Sequence, residues 1–201
     1  MSSSFESGMF GTLDEADAEN SVLYYGGSFN PPHMSHYLFV CALRGYCPRA
    51  QIVVAPTYSH AFDKRLLAFD LRLRMLKTVF SGMKQVEVSA IEKTLNLPKS
   101  YTFDVICAIR EHQPTKQIFI CVGADIIETL PAWYRVDELC KVAKFLVFPR
   151  SGYAQAGTLR MPYLPDISST AIREHLAAGE RDAVRGLIPR CILDEVESLY
   201  A

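Results

Sequence analysis

The sequence predicts an α/β fold in a single domain, built from a doubly wound parallel sheet with helices on both faces. Apolar, β-branched runs alternate along the chain with segments whose apolar residues recur at helical spacing. No internal repeat or long linker divides the chain, and its 201 residues are enough for one sizeable core. A glycine-rich turn follows the first apolar run, where a sheet of this kind binds its ligand.

The individual elements follow from these runs in chain order. Strands are predicted over residues 21–25, 51–55, 84–89, 117–122 and 143–148. Helices are predicted over residues 34–46, 68–81, 102–112, 135–141, 169–178 and 190–200. Because strands and helices alternate, we expect neighbouring strands to run parallel and ligands to gather at their carboxyl ends.

The first twenty residues differ from the rest of the chain. They are polar and serine-rich, and they contain five acidic residues but no lysine or arginine. We interpret residues 1–20 as a disordered acidic extension and residues 21–201 as the folded domain. Residues 1–20 also lack the basic start and apolar centre of a secretory signal, and no apolar run approaches the length of a membrane span.

Charge and cysteine usage narrow the class of protein. The formal net charge is −1, which indicates neither a nucleic-acid-binding surface nor a polybasic membrane patch. Beyond residue 20 the chain carries all 21 basic residues against 17 of the 22 acidic ones, a balance that suits phosphorylated substrates. The six cysteines are scattered and form no CxxC pair, which is typical of free thiols in a reducing cytoplasm.

Residues 26–36, which read GGSFNPPHMSH, are the most informative segment. They join the first predicted strand to a predicted helix. Gly26 and Gly27 let the backbone approach a ligand closely, and His33 and His36 share one face of the first helical turn. The helix start adds free N–H groups and a positive dipole end, so this segment indicates a phosphate site.

Two other interpretations of this segment were weighed. Gly-Gly and Asn-Pro-Pro are turn signals in their own right, so the segment could be an ordinary strand-to-helix turn. Two histidines three residues apart could also bind zinc, but no Cys, His or carboxylate lies beside them at the spacing of a zinc site. The segment has neither the glycine spacing of a dinucleotide-binding fingerprint nor the Gly-Lys-Ser/Thr of a P-loop.

The segment resembles the GG(T/S)F(D/N)P-x-HxGH signature of the nucleotidylyltransferase superfamily, which has a Rossmann-like fold. Ser35 replaces the glycine that precedes the second histidine. A second superfamily signature, ISSTxIR, is reproduced in full over residues 167–173. A capped helix alone would explain the serines locally. The resemblance implies that Ser169, Thr170 and Arg173 hold the ATP phosphates, as hydroxyls and a guanidinium at a helix start can.

Residues 122–134, VGADIIETLPAWY, resemble the (I/V)GAD…LPxWY segment of bacterial nicotinate-nucleotide adenylyltransferases. The resemblance implies that Gly123 and Asp125 contact ATP, and that Trp133, the only tryptophan, stacks on the pyridine ring. Without it, Asp125 could simply cap a helix and Trp133 could be a core residue. The polar residues that flank Trp133 predict an exposed loop.

Three further segments extend the resemblance. Residues 100–104, SYTFD, match a segment whose helix start, at Tyr101 and Thr102, meets the pyridine carboxylate in that family. Arg150 belongs to a match to the R-P-G-(Y/F) loop near the adenine. Residues 56–64 depart from P-x(4)-PHK: Lys64 can supply the phosphate-binding lysine, but Asp63 replaces the histidine and His60 comes earlier. Arg72 and Met75 then fit the family's R-x-x-M.

The resemblance covers roughly residues 21–200, and it implies adenylyl transfer from ATP to nicotinate mononucleotide in NAD biosynthesis. Mg²⁺ would accompany ATP, with no metal site made by the protein alone. The implied residues fall into three groups. The catalytic residues would be His33, His36, Lys64 and Arg173; the ATP-binding residues Gly26, Gly27, Ser28, Phe29, Gly123, Asp125, Arg150, Ser169 and Thr170; and the mononucleotide-binding residues Asn30, Tyr101, Thr102 and Trp133.

Three alternatives stay open on the sequence alone. The acceptor could be nicotinamide mononucleotide, or both mononucleotides. The chain could be a sister enzyme such as a phosphopantetheine adenylyltransferase, although the Trp133 segment argues against it. It could also be a nucleotide-binding module without turnover. We expect a cytoplasmic protein without nucleic-acid or membrane partners, for which a homo-oligomer is compatible with the sequence.

Overall fold

A parallel sheet of five strands runs through the computed structural model, which describes residues 6–59, 66–153, 158–161 and 163–200. The strands are β1 (Ser21–Gly27), β2 (Gln51–Pro56), β3 (Val86–Val88), β4 (Gln117–Gly123) and β5 (Lys144–Phe148). Their order is β3-β2-β1-β4-β5, so the chain winds outward from β1 and then returns to add β4 on the other side. The switch point therefore lies between β1 and β4, where sheets of this type open a crevice for ligands.

Helices connect and cover these strands. The α-helices are α1 (Glu6–Met9), α2 (Leu13–Ala16), α3 (Met34–Tyr46), α4 (Phe69–Val79), α5 (Ile91–Leu95), α6 (Thr102–His112), α7 (Val136–Val142), α8 (Ser169–Ala177), α9 (Arg181–Val184) and α10 (Leu193–Tyr200). Two 3-10 segments cover Ala124–Ala132 and Arg190–Ile192. None of the helices in the described part of the chain is long and apolar enough to cross a membrane.

The sheet has a hydrophobic core on each face. Successive strand residues point to opposite faces, so Val22 contributes to one core and Leu23 to the other, and both are fully buried. Burial on both sides explains why the strands are continuous apolar runs and not alternating ones. This confirms the predicted α/β fold with a parallel sheet covered on both faces.

The predicted elements agree with the structure except at their edges. All five strands are present, but the third is shorter than predicted and spans only Val86–Val88. The predicted helix over 190–200 starts as a 3-10 turn and becomes α-helical at Leu193. Helices α1, α2, α5 and α9 were not predicted, because four or five residues are too few to give a helical period.

The expectation of a disordered N-terminal extension is wrong for the part of that segment nearest the sheet. Gly11 donates its N–H to the Phe145 carbonyl on β5 (2.9 Å), and Ala16 on α2 is fully buried. Thr12 caps α2 by accepting from the Glu15 N–H (3.2 Å), and the Glu15 carboxylate pairs with Lys144 (2.6 Å). Glu15 therefore helps to cap α2 and forms an ion pair with Lys144, a role that acidic composition alone does not reveal.

Candidate active site

The loop after β1 is held in place by a buried arginine. Arg72 on α4 is only 1% exposed, and its guanidinium donates to three backbone carbonyls, those of Ser28 (2.8 Å), Thr57 (2.7 Å) and Leu67 (2.8 Å). These carbonyls belong to the loop after β1 and to the chain on either side of residues 60–65. The planar guanidinium presents several donors in a fixed geometry, so it can hold several loop segments in place at once. Arg72 therefore sets the shape of the loop that follows the glycine pair.

Gly26 is required for a packing reason. A Cβ added there would lie 2.5 Å from the hydroxyl of Tyr24 on the same strand. A Cβ at Gly27 would come within 3.3 Å of the Phe29 ring. Phe29 itself has a left-handed backbone (φ 47°) and is 1% exposed. Its side chain lies in the core against His36 (ring centroids 4.8 Å apart), so a contact between ATP and Phe29 would fall to its backbone.

His33 and His36 lie together at the start of α3, as predicted. His33 is the N-cap residue, and the two imidazole rings stack with centroids 3.6 Å apart. The backbone N–H of His33 donates to Nδ1 of His36 (3.1 Å). Because Nδ1 accepts, the neutral His36 ring carries its proton on Nε2, which is left as a donor. Nδ1 of His33 is buried without a partner among the residues that the structure describes.

Both histidines are uncharged at neutral pH in this setting. Burial, together with the positive charge of Arg150, lowers the pKa of His33 to about 4. Burial, the neighbouring His33 and Arg150 hold the pKa of His36 well below its usual value. The pair is therefore a desolvated set of donors beside fixed positive charge, and an anion bound there would favour its protonation.

Helix α8 starts beside this pair. Ser168 is its N-cap and accepts from the Thr170 N–H (3.2 Å), while the Ser169 hydroxyl donates to the Pro31 carbonyl (2.9 Å). Arg173 donates to the Asn30 carbonyl (2.7 Å) and to the Thr170 hydroxyl (3.1 Å). The two signatures therefore meet across the crevice. The bond between Ser169 and Pro31 joins residues that are 138 positions apart in the sequence.

Ser35, at the position of the signature glycine, also joins the two halves. Its hydroxyl donates to the Pro165 carbonyl, just ahead of α8. Ser35 therefore links the start of α3 to the chain just ahead of α8.

Arg150 bridges two carboxylates at the carboxyl end of the sheet. It contacts Asp125, which follows β4, at 2.9 Å and Asp166 at 3.0 Å. Burial opposes its charge, but the two carboxylates outweigh that effect and raise the pKa of Arg150. A Cβ at Gly123 would collide with the Asp125 carboxylate and displace that side chain. Asp125 and Arg150 are therefore brought together at this end of the sheet, where they bind each other. Their predicted contacts with ATP stay predictions.

The residues predicted to contact the mononucleotide are only partly grouped. Tyr101 is the N-cap of α6 without a side-chain cap bond, and its ring stacks on Tyr134 (4.5 Å). Trp133 was expected in an exposed loop. Its neighbours Ala132 and Tyr134 are exposed, but Trp133 itself is half-buried, with its ring edge-on to Phe145 (6.0 Å). Trp133 follows the 3-10 segment Ala124–Ala132 and packs against the core on that face of the sheet.

Asn30 is a structural link in this state. It is 3% exposed, and its side-chain oxygen accepts from the Tyr200 hydroxyl (2.6 Å) and the Leu67 N–H (3.0 Å). Its predicted contact with the mononucleotide stays a prediction. The predicted Lys64, together with His60 and Asp63, lies outside the described residues.

Sequence reasoning missed three residues that shape the site. They are Tyr24, Glu92 and Tyr200, which are distant in sequence from the motifs that they support. The only local signal was polarity within apolar segments. Within the described ranges, His, Cys, Asp and Glu side chains form no group of three that could hold a metal ion.

A family model and relatives of known name match most of the chain. The model described as cytidylyltransferase-like matches residues 24–175, which include both signatures. A "probable nicotinate-nucleotide adenylyltransferase" of Anaeromyxobacter dehalogenans is 34% identical over 88% of this chain and 93% of its own length. A protein of the same name from Streptococcus pneumoniae is 32% identical over 87% of this chain and 86% of its own length.

The fold is also that of a solved structure. The nicotinic acid mononucleotide adenylyltransferase of Plasmodium falciparum, complexed with NaAD, superposes with a TM-score of 0.76 and 17% identity, covering 90% of this chain and 96% of that one. Fold, histidine pair and family model together define a nucleotidyltransferase. The chain belongs to the cytidylyltransferase-like family and, within it, to the nicotinate-nucleotide adenylyltransferases.

Proposed function

We propose that this protein transfers the adenylyl group of ATP to nicotinate mononucleotide, giving nicotinate adenine dinucleotide and pyrophosphate. The observation that carries the proposal is the stacked His33–His36 pair at the switch point, directly opposite the start of α8 and Arg173. Relatives at 32–34% identity that bear this enzyme's name support the choice of substrates.

The chemistry needs positioned donors and no protein nucleophile. A phosphate oxygen of the mononucleotide attacks the α-phosphorus of ATP in line, and the bond to the bridging oxygen of pyrophosphate breaks. Negative charge grows on the transferring phosphoryl oxygens as this happens. The Nε2–H of His36, with a cation at Arg173, is suited to stabilise that charge.

ATP would be held between the two signatures. Ser169 and Thr170 offer hydroxyls and N–H groups at the start of α8, and Arg173 offers its guanidinium. Asp125 could accept from both ribose hydroxyls, but its carboxylate is engaged by Arg150. We therefore propose that ribose replaces Arg150 on Asp125, and that Arg150 keeps its contact with Asp166.

The mononucleotide would bind on the other side of the crevice. The start of α6, at Tyr101 and Thr102, presents the positive end of a helix dipole to the pyridine carboxylate. Trp133 would stack on the ring after turning from its contact with Phe145, and Lys64 would reach the phosphate. An amide carries no negative charge, so this arrangement favours the acid over nicotinamide mononucleotide.

Magnesium fits this site as a companion of ATP. The carboxylates nearest the crevice, Asp125 and Asp166, are both paired with Arg150, so the described residues leave phosphate and water oxygens as its ligands. When bound, the ion would neutralise part of the triphosphate charge. A cytoplasmic location is part of the proposal, supported by six cysteines that are all free.

A substrate panel tests this proposal. The protein is incubated with ATP, Mg²⁺ and either nicotinate mononucleotide, nicotinamide mononucleotide or phosphopantetheine, and pyrophosphate release is followed. We expect fast release with the acid and slower release with the amide. Equal or better use of the amide would refute the acid preference, and release only with phosphopantetheine would place the chain with the sister enzymes. Binding of ATP without release in any mixture would leave a nucleotide-binding module.

A further inference from the structure

We infer that Glu92 is a positioning residue for the mononucleotide half of the site. It holds the start of α6 and the loop after β2 in one fixed arrangement. The inference rests on the proposed function, which brings the pyridine carboxylate to the start of α6.

Glu92 is a buried carboxylate with partners on three separate elements. It is 4% exposed. Its Oε1 accepts from the Tyr24 hydroxyl on β1 (3.2 Å), and its Oε2 accepts from the Tyr58 N–H just after β2 (2.9 Å). The Ser100 hydroxyl, two residues before α6, lies close enough to the same carboxylate to lower the pKa of Glu92. One side chain thus joins the strand that leads into the glycine pair to both substrate-side loops.

The two loops are also bonded to each other directly above Glu92. The Ser59 N–H donates to Oγ of Ser100 (3.2 Å), and the Ser100 N–H donates to the Ser59 carbonyl (2.9 Å). The Ser59 hydroxyl donates to the Pro98 carbonyl. Ser100 therefore acts as a relay, because its hydroxyl accepts from the loop after β2 and lies beside Glu92. A shift of the carboxylate would move both loops together.

A carboxylate is the group that this position requires. Three donors converge on it, and an ionised carboxylate is an acceptor at both oxygens. Burial is the largest effect and raises the pKa of Glu92 overall, although Tyr58, Ser100, Tyr24 and the nearby Arg72 oppose it. A glutamine of the same shape would turn an NH₂ group toward a donor, leaving one loop without its partner. Burying a charge is costly unless it is fully bonded, so we attribute its presence here to the alignment that it gives.

The test is Glu92→Gln in the full chain, with steady-state kinetics for each substrate. We expect KM for nicotinate mononucleotide to rise about tenfold, the size expected for losing one hydrogen bond to a charged group. KM for ATP should stay within about twofold, because ATP would bind across the α8 side. The preference for the acid over the amide should narrow, since the helix start would no longer be held at one distance.

A matched control separates alignment from general damage. Glu111→Gln makes the same change on an exposed face of α6 and should leave both KM values as in the parent. Ser100→Ala removes the relay and should reproduce the effect of Glu92→Gln, whereas Ser100→Thr keeps the hydroxyl and should restore the parent KM. If Glu92→Gln does not fold, the Ser100 pair makes the same test.

The outcomes distinguish this inference from the proposed function. If the parent protein does not release pyrophosphate with any mononucleotide, the proposed function fails. If the parent is active and both Glu92→Gln and Ser100→Ala keep its KM for the mononucleotide, Glu92 has no positioning role. An equal rise in both KM values would assign Glu92 to general stability and would overturn the inference.

Discussion

The neutral state of His33 predicts a specific loss of stability in acid. The pKa of this histidine is about 4 in the folded protein and 6.5 for a solvated imidazole. As the pH falls below 6.5, His33 becomes protonated in the unfolded chain but stays neutral in the folded protein, so folding becomes less favourable. Each pKa unit corresponds to about 1.4 kcal/mol, so the penalty reaches about 3 kcal/mol near pH 4. Above pH 6.5 this group has no effect.

His33→Asn isolates this contribution, because carboxylates also titrate in the same range. The free energy of unfolding in urea is measured by circular dichroism at pH 7.5, 6.5, 5.5 and 4.5 for the parent and the variant. We expect the parent to lose about 2 kcal/mol more than His33→Asn between pH 6.5 and 4.5. His112→Gln, which removes an exposed histidine from α6, is the matched control.

Two results would refute this reasoning. Parallel stability curves for the parent and His33→Asn would mean that His33 is not buried in its neutral form. An NMR titration of the His33 ring with a midpoint near 6.5 would show the same directly, without any assumption about unfolding.

Three further predictions concern the steady-state kinetic constants kcat and KM. His36→Ala should lower kcat by about 10²–10³ with KM for ATP little changed, because one donor to a developing charge is lost; near-normal turnover would exclude this role. Arg173→Lys should bind ATP more weakly and turn over more slowly than the parent, because an ammonium cannot bond Asn30 and Thr170 while also presenting a planar fork. Parent-like kinetics would disprove the role of Arg173 in holding the ATP phosphates. Trp133→Ala should raise KM for the mononucleotide at least severalfold and leave KM for ATP nearly unchanged, as loss of an aromatic contact worth about 0.5–1.5 kcal/mol beyond its area implies. An unchanged mononucleotide KM would make Trp133 a core residue only.

The sequence predicted those parts of the fold that depend on local pattern. The five strands and the long helices follow from apolar runs, and His33 and His36 from their spacing on one helical turn. Short elements such as α5 have too few residues to show a period. The packing of residues 10–16 on the sheet was also missed, because acidic composition was taken to mean disorder, whereas Glu15 and Asp17 cap or pair.

The supports of the site lie beyond local pattern for a different reason. Glu92 meets Tyr24 across 68 residues, and Tyr200 meets Asn30 across 170. Such pairs form only when the strand order of the sheet brings their elements together. The local sequence around one residue therefore does not identify its partner. The motifs thus predict which residues do the chemistry, and the kinetics above test that prediction. They carry no information on which residues hold those side chains in place.

The fate of the α-phosphoryl group tests the central claim most directly. The protein is incubated with Mg²⁺, nicotinate mononucleotide and ATP labelled at the α-phosphate, and the products are separated by chromatography. We expect the label in nicotinate adenine dinucleotide, with an equal amount of unlabelled pyrophosphate, and no such product from a variant in which both His36 and Arg173 are replaced by alanine. Label that stays in ATP, or that appears in AMP without any dinucleotide, would contradict adenylyl transfer to this acceptor.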